Sequence, residues 1–310
     1  MINLFNIENY TIDTSKFDHV LHDSGVIEFE HKFAQFVGAK YACGVNSATS
    51  AIYLAMSAMS KNGGEVYNIT IPTMIPPVVA NAIITSGNRI SFYDNVKWVG
   101  DSYVLHEFED YKIIDSAQQL YKDQFAIEAN DNDLMIFSFY PTKPVGSIDG
   151  GMIVSNDKDK IEWFRQATLN GMGFAKDNWH REIKFPGWKM YMNSIQAYVA
   201  NKNFDIYEEK LEKLNTIRET YNSTFGLKNT SNHLYRIEVE DNVKAMEKLK
   251  SKGIISGIHY SCLHKIPTYR QRETLVNSER LESKTLSIPF HEKLEPRDTL
   301  AIKSAVMELI

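Results

Sequence analysis

The chain has 310 residues, 43% of them in the hydrophobic set and 24% charged, so it can bury a sizeable core and is not expected to be disordered. Lys plus Arg (34) against Asp plus Glu (39) leaves a net charge of −5, which argues against nucleic acid or an anionic membrane surface as the main partner. The two cysteines, Cys43 and Cys262, exclude a disulfide framework. The apolar stretches 51–59 and 76–84 are too short to span a bilayer, and Glu8 and Asp13 interrupt any leader-like run, so a soluble, cytoplasmic protein is expected.

In chain order, Val26, Phe29, Phe33 and Phe36 recur at helical spacing and Gly38 stops the run. A helix rich in Ala, Leu and Met is expected after Ser47, ending at Asn62-Gly63-Gly64. Val66–Ile71, closed by Pro72, reads as a strand. A further helical run ends near Gly87, and Ile90–Tyr93 reads as another strand. Tyr111–Ile114 and Leu134–Phe139 are short apolar runs of the kind buried in parallel sheets, and Gly150-Gly151 leads into Met152–Val154. Asp157 suits the cap of a helix through Asn170, with Gly171 beyond it. The alternation predicts an α/β fold with a mostly parallel central sheet. From about Ser194 to Phe225, apolar residues at Ile195, Val199, Ile206, Leu211, Leu214, Ile217 and Tyr221 predict one or two long amphipathic helices. Leu234–Val239, Val243–Leu249 and Ile254–Tyr260 then suggest strand, helix and strand, a small α+β unit.

Three segments follow predicted strands, where ligands gather in parallel α/β sheets. In Gly44–Ala51, small and hydroxyl residues open a helix, which suits either a plain cap or a phosphate site on free N–H groups. In Ile113-Ile114-Asp115-Ser116-Ala117-Gln118, an Asp ends an apolar strand, as a helix cap or as the partner of a ligand cation. In Phe137-Ser138-Phe139-Tyr140-Pro141-Thr142-Lys143, a hydroxyl and a lysine lie five apart in a loop bounded by Gly150-Gly151. Singly, each has an ordinary structural explanation. Together they supply a phosphate cradle, a strand-end carboxylate and a loop amine, the set a pyridoxal 5'-phosphate (PLP) site uses.

The chain resembles the DegT/DnrJ/EryC1/StrS family of fold type I, PLP-dependent nucleotide-sugar aminotransferases. The resemblance runs nearly end to end, through Phe29–Ala34, Asn46–Ala51, Ile71-Pro72, Asn81–Ile83, Asp115–Gln118, Ser138-Phe139, Lys143, Gly150-Gly151, Met192–Ala197 and Gly257–Tyr260. It implies a large PLP-binding α/β domain over 1–200 and a small C-terminal α+β domain over 201–310. It also implies transfer of an amino group from an amino acid, L-glutamate by analogy, to a keto group of a nucleotide-linked deoxysugar, for cell-surface polysaccharide or related glycans.

Position by position, the resemblance makes Lys143 the Schiff-base lysine and Asp115 the partner of the pyridine nitrogen. Gln118 falls near the ring hydroxyl, while Ser138, Ala48 and Thr49 fall at the phosphate. Tyr140, His259 and Tyr260 fall at the substrate mouth, a packed strand histidine being the plain alternative for His259. Two positions depart from the family pattern: Pro76 stands where an aromatic residue covers the cofactor, and Lys189, in Gly187–Met192, replaces an Asn that reaches the neighbouring subunit's phosphate. The resemblance thus implies a homodimer with shared sites. The alternatives are a PLP-dependent sugar dehydratase, a branch in which histidine replaces the Schiff-base lysine, and a PLP-binding relative without turnover.

Overall fold

The helical spacing of Val26, Phe29 and Phe33 is realised in α1 (Ser24–Val37), which buries all three; the Asp23 side chain accepts from Gly25 N at its start, and Gly38, at φ 77°, ends it. The computed structural model describes residues 1–17, 19–60, 65–94, 99–173, 181–269, 271 and 273–310. After α1 come β1 (Tyr41–Val45), α2 (Ala48–Ser60), β2 (Asn68–Pro72), α3 (Pro77–Thr85) and β3 (Arg89–Tyr93). The expected stop of α2 at Asn62-Gly63-Gly64 lies outside the described residues. Then follow β4 (Tyr103–Glu107), β5 (Lys112–Asp115), α4 (Gln124–Glu128), β6 (Leu134–Ser138), β7 (Gly151–Ser155) and α5 (Lys158–Ala167). Asp157 caps α5 as expected, but the helix ends at Ala167 rather than Asn170, because Leu169 leaves it to bridge Lys189.

Among the described residues the central sheet has five strands in the order β1-β7-β6-β5-β4, and β2 and β3 pair separately. Its strand directions correct the expectation of a mostly parallel sheet. β5–β6 and β2–β3 are parallel, whereas β1–β7, β6–β7 and β4–β5 are antiparallel. Connection length is the reason. Only residues 108–111 join β4 to β5, far short of the dozen or so that a parallel crossover takes. β7 returns beside β6 through a loop with no helix in it. β1, β5 and β6 still point the same way, so their C-terminal ends share one edge.

Both faces of this sheet are covered. Ile113, Leu134, Ile136 and Ile153 pack with Leu54 of α2, Val79 of α3 and Phe164 of α5. Ile114, Met135, Phe137, Met152 and Val154 pack with Phe29 and Phe33 of α1 and with Phe125 of α4. Successive strand residues point to opposite faces, so a strand buried on both reads as an unbroken apolar run, which is why Leu134–Phe137 carries no alternation.

The amphipathic run divides at Ile206 into α6 (Ser194–Asp205) and α7 (Tyr207–Phe225). Beyond lie β8 (Tyr235–Glu238), α8 (Asn242–Ser251), α9 (Val276–Glu282), β9 (Thr285–Ile288) and α10 (Pro296–Met307). Leu214, Tyr221, Tyr235, Leu249, Leu286 and Ile302 form their own buried cluster. The expected strand Ile254–Tyr260 is corrected: Ile254 and Gly257 make single bridges, to Ile2 and Ser287, and the strand that pairs with β8 is β9. All four residues of β9 are buried, Thr285 and Ser287 included, so core position rather than apolar composition distinguishes it from the 254–260 segment, whose last two residues turn into a cavity.

The first ten residues run as a strap over this unit. Asn6 donates to Glu292 (3.3 Å), Glu8 lies 3.7 Å from Lys210 and 3.5 Å from Lys293, and the Tyr10 hydroxyl donates to Gly146 O (3.4 Å). Among the described residues no helix is long and apolar enough to cross a membrane, and no His/Cys/Asp/Glu cluster suits a metal ion.

Candidate active site

The shared strand edge opens on a cavity of about 600 Å³ lined by Ala48, Thr49, Pro76, Asp115, Gln118, Ser138, Tyr140, Lys143, His259 and Tyr260, together with other residues. Every sequence-predicted site residue except Lys189 is on that wall. One end of the cavity is the start of α2. Ser47 Oγ accepts from Ser50 N (3.1 Å) and its carbonyl from Ala51 N (3.2 Å), and the N–H groups of Ala48 and Thr49 have no acceptor among the described residues. A Cβ on Gly151 would lie 2.6 Å from Ala48 N, so glycine is what lets this helix start sit against β7. Free N–H groups at a helix start, with Ser138 on the same wall, favour an anion.

The same cavity carries the acid and the amine. Asp115 ends β5 and is only 5% exposed; Ala117 N donates to its Oδ1 (2.9 Å) and the Tyr103 hydroxyl to its Oδ2 (2.8 Å). Burial raises its pKa, opposed by those two donors and by the Lys143 charge. Lys143 Nζ donates to Gln118 Oε1 (2.7 Å) and lies 3.2 Å from His233 Nδ1. Burial lowers its pKa to about 7, with Asp115 pulling the other way. Burial and the nearby Lys143 charge hold His233 neutral, well below the ordinary histidine value.

The loop that presents Lys143 is fixed from behind. Asn203 donates to Gly146 O (2.6 Å) and accepts from Lys210 Nζ (2.8 Å), and a Cβ on Gly146 would strike Pro141 O at 2.7 Å. At the mouth, Gln118 Nε2 donates to the Tyr260 hydroxyl (2.7 Å), Tyr140 is 54% exposed, and His259 Nδ1 is buried with no hydrogen-bond partner among the described residues. Burial lowers the His259 pKa to about 4, so its ring is neutral.

Sequence reasoning missed three wall residues. Tyr103 arrives on β4, which no motif marks. His233 precedes β8, and its Nε2 lies 3.0 Å from Thr142 Oγ1. Phe5 comes from the strap and stacks on His233 with ring centroids 5.1 Å apart. No spacing signal links any of them to the strand-end motifs. Lys189 is exposed and outside the cavity of its own chain; around it, Met190 O accepts from Asn46 N (2.8 Å), Trp188 packs edge-on against Tyr53, and Met192 is fully buried.

A helix start, a strand-end carboxylate and a buried lysine brought to one cavity at the edge of this sheet is the arrangement of the fold type I PLP-dependent transferases. Two solved structures share the fold: Helicobacter pylori PseC, an aminotransferase involved in the biosynthesis of pseudoaminic acid (TM-score 0.81, 20% identity, 98% of each chain), and a sugar aminotransferase of Micromonospora echinospora (TM-score 0.80, 16% identity, 99% of this chain and 100% of that one). Residues 7–98 and 121–307 match the DegT/DnrJ/EryC1/StrS aminotransferase family, and the chain belongs to it. Among curated relatives, the UDP-4-amino-4,6-dideoxy-N-acetyl-beta-L-altrosamine transaminase of Campylobacter jejuni is 25% identical, covering 98% of this chain and 96% of the relative. The spore coat polysaccharide biosynthesis protein SpsC of Bacillus subtilis is 24% identical over 92% and 89%. The family match omits 99–120, the stretch that carries β4, β5, Asp115 and Gln118.

The residues present suit PLP. Among the described residues the N–H groups of Ala48 and Thr49 and the buried His259 Nδ1 have no hydrogen-bond partner; the N–H groups suit a phosphate, the buried carboxylate of Asp115 a ring N–H, and the buried amine of Lys143 an aldehyde.

Proposed function

We propose that this aminotransferase is PLP-dependent and moves an amino group from an amino acid, L-glutamate by analogy, to a keto group of a nucleotide-linked deoxysugar in polysaccharide or related glycan assembly. The observation that carries this reading is Lys143, an amine whose pKa burial brings to about 7, lining one cavity with Asp115 and the start of α2. The names of the Campylobacter and Bacillus relatives support the sugar substrate and its use.

Ala48, Thr49 and Ser138 bind the phosphate, Pro76 covers one ring face, and Gln118 sits by the ring hydroxyl. Asp115 holds a proton on the ring nitrogen. Bound there, PLP supplies an electron-withdrawing ring that stabilises negative charge at the amino donor's α-carbon. Lys143 Nζ, neutral through burial, takes the proton from that α-carbon and returns one on the sugar's carbon; Gln118 and His233 hold Nζ in place. Tyr140, His259 and Tyr260 meet the substrate. The same reading divides the chain into 1–200 and 201–310, and pairs two chains so that Lys189 reaches the partner's phosphate. The presence of Lys143 rather than histidine favours transamination over dehydration.

The test is to incubate the protein with PLP, L-glutamate and a panel of keto-sugar nucleotides, and to measure product mass. Conversion of one keto group to an amine, with 2-oxoglutarate formed alongside, is expected. Loss of water from a sugar without amination, or no turnover with any donor by a PLP-loaded protein, overturns the proposal.

A further inference from the structure

Tyr103 and Asp115 are direct register partners across the β4–β5 hairpin. The hairpin accounts for that pairing. A strand running parallel to β5 brings its own C-terminal end to the cavity edge, whereas the antiparallel β4 brings its first residue there. This pairing lies in the 99–120 stretch outside the family match.

The Tyr103 hydroxyl donates to Asp115 Oδ2 and Ala117 N to Oδ1, one donor on each oxygen. A carboxylate oxygen accepts about two hydrogen bonds, so one acceptor site on each remains for the cavity. We propose that Tyr103 is a positioning residue for the cofactor: its hydroxyl fixes the Asp115 carboxylate so that the remaining acceptor sites face the ring nitrogen of PLP and the group stays ionised. This rests on the reading of Asp115 as the partner of that nitrogen.

Among the described residues three titratable groups face Asp115: Tyr103 on β4, Lys143 on the loop after β6, and Tyr260 from the C-terminal unit. Burial and the Asp115 charge keep the Tyr103 hydroxyl protonated, and burial does the same for Tyr260, whose oxygen accepts from Gln118 Nε2 and makes no hydrogen bond to Asp115 among the described residues. Lys143 loses its charge above about pH 7. At neutral pH and above, the ionised carboxylate therefore depends on two short contacts, from Tyr103 and Ala117, and a donor to a buried carboxylate favours the charged form.

The experiment measures binding of PLP, and of its deaza analogue with a C–H in place of the ring nitrogen, to the native chain and to Tyr103→Phe, Asp115→Asn and the double variant, without amino donor. Tyr103→Phe is expected to weaken PLP binding roughly tenfold, the size of one charge-assisted hydrogen bond. It should leave binding of the deaza analogue unchanged, and should add little in the Asp115→Asn background. Equal losses for both ligands, or the same loss in both backgrounds, would mean that Tyr103 only packs, and the inference fails. Unchanged PLP binding by Tyr103→Phe overturns it too. If Asp115→Asn itself binds PLP as the native chain does, the reading of Asp115 is what fails. Should Tyr103→Phe melt early, the two ligands compared on native protein decide: equal affinity across pH 6 to 8 removes the ring nitrogen, and with it the role of Tyr103.

Discussion

Lys143 shows how one residue's surroundings set its chemistry. A lysine in water stays cationic to about pH 10.4 and cannot attack an aldehyde. Here burial brings its pKa to about 7 even though Asp115 opposes the shift. The sign of the pH dependence follows: below about 7 the amine is protonated and unreactive, above it neutral. Capture of PLP, followed by its visible absorption, is expected to speed up through pH 7 and level off above it; a rate still climbing at pH 9 would show an ordinary lysine. Lys143→Ala should abolish borohydride trapping of PLP on the chain and leave amino transfer undetectable, and wild-type turnover in that variant would remove Lys143 from the role. Asp115→Asn should fold yet slow proton transfer severely, because a neutral amide holds the protonated ring nitrogen weakly; near-normal turnover would clear Asp115 of the role.

Ala48, Thr49, Asp115, Ser138 and Lys143 were legible in the sequence because each sits just past a recognisable strand, where chain direction alone sends it to the ligand edge. Tyr103, His233 and Phe5 were not, because each reaches the cavity by tertiary packing that leaves no local spacing.

At the scale of elements, apolar runs located β5, β6 and β7, but their directions depended on connection lengths that hydrophobicity does not report. The same runs made Ile254–Tyr260 look like a strand, though its apolar residues serve single bridges and the cavity wall. The contact of β7 with the start of α2 yields a prediction. Gly151→Ala would force Cβ to 2.6 Å from Ala48 N and 2.9 Å from Ala48 Cα, both backbone atoms with little room to move. The variant is expected to lose about 1–3 kcal/mol in denaturant unfolding, as for overpacking, and to bind PLP more weakly as the helix start is pushed away. Unchanged stability and unchanged PLP binding would show that the contact relaxes freely.

For the whole molecule, the open question is what Lys189 meets. Its segment is tied to its own chain at Met190 and Trp188 while its side chain stays exposed, which suits a group presented to a neighbour. In the proposed homodimer, Lys189→Glu should weaken PLP retention and leave Lys143 reactive. Mixing Lys143→Ala chains with Lys189→Glu chains should restore part of the activity, because one site of the heterodimer then carries both defects and the other neither. A monomer in sedimentation, or verified heterodimers with no recovery, would count against shared sites.

The strap of the first ten residues also constrains how the molecule comes to be. Asn6 meets Glu292, a partner 286 positions away, and Phe5 reaches the cavity by stacking on His233 and meeting His259 edge-on. During synthesis these residues leave the ribosome well before their partners, since 286 positions separate Asn6 from Glu292. Closing so long a loop comes late in folding, after local elements have formed. The central sheet can therefore assemble early, while the wall that Phe5 completes is finished among the last steps.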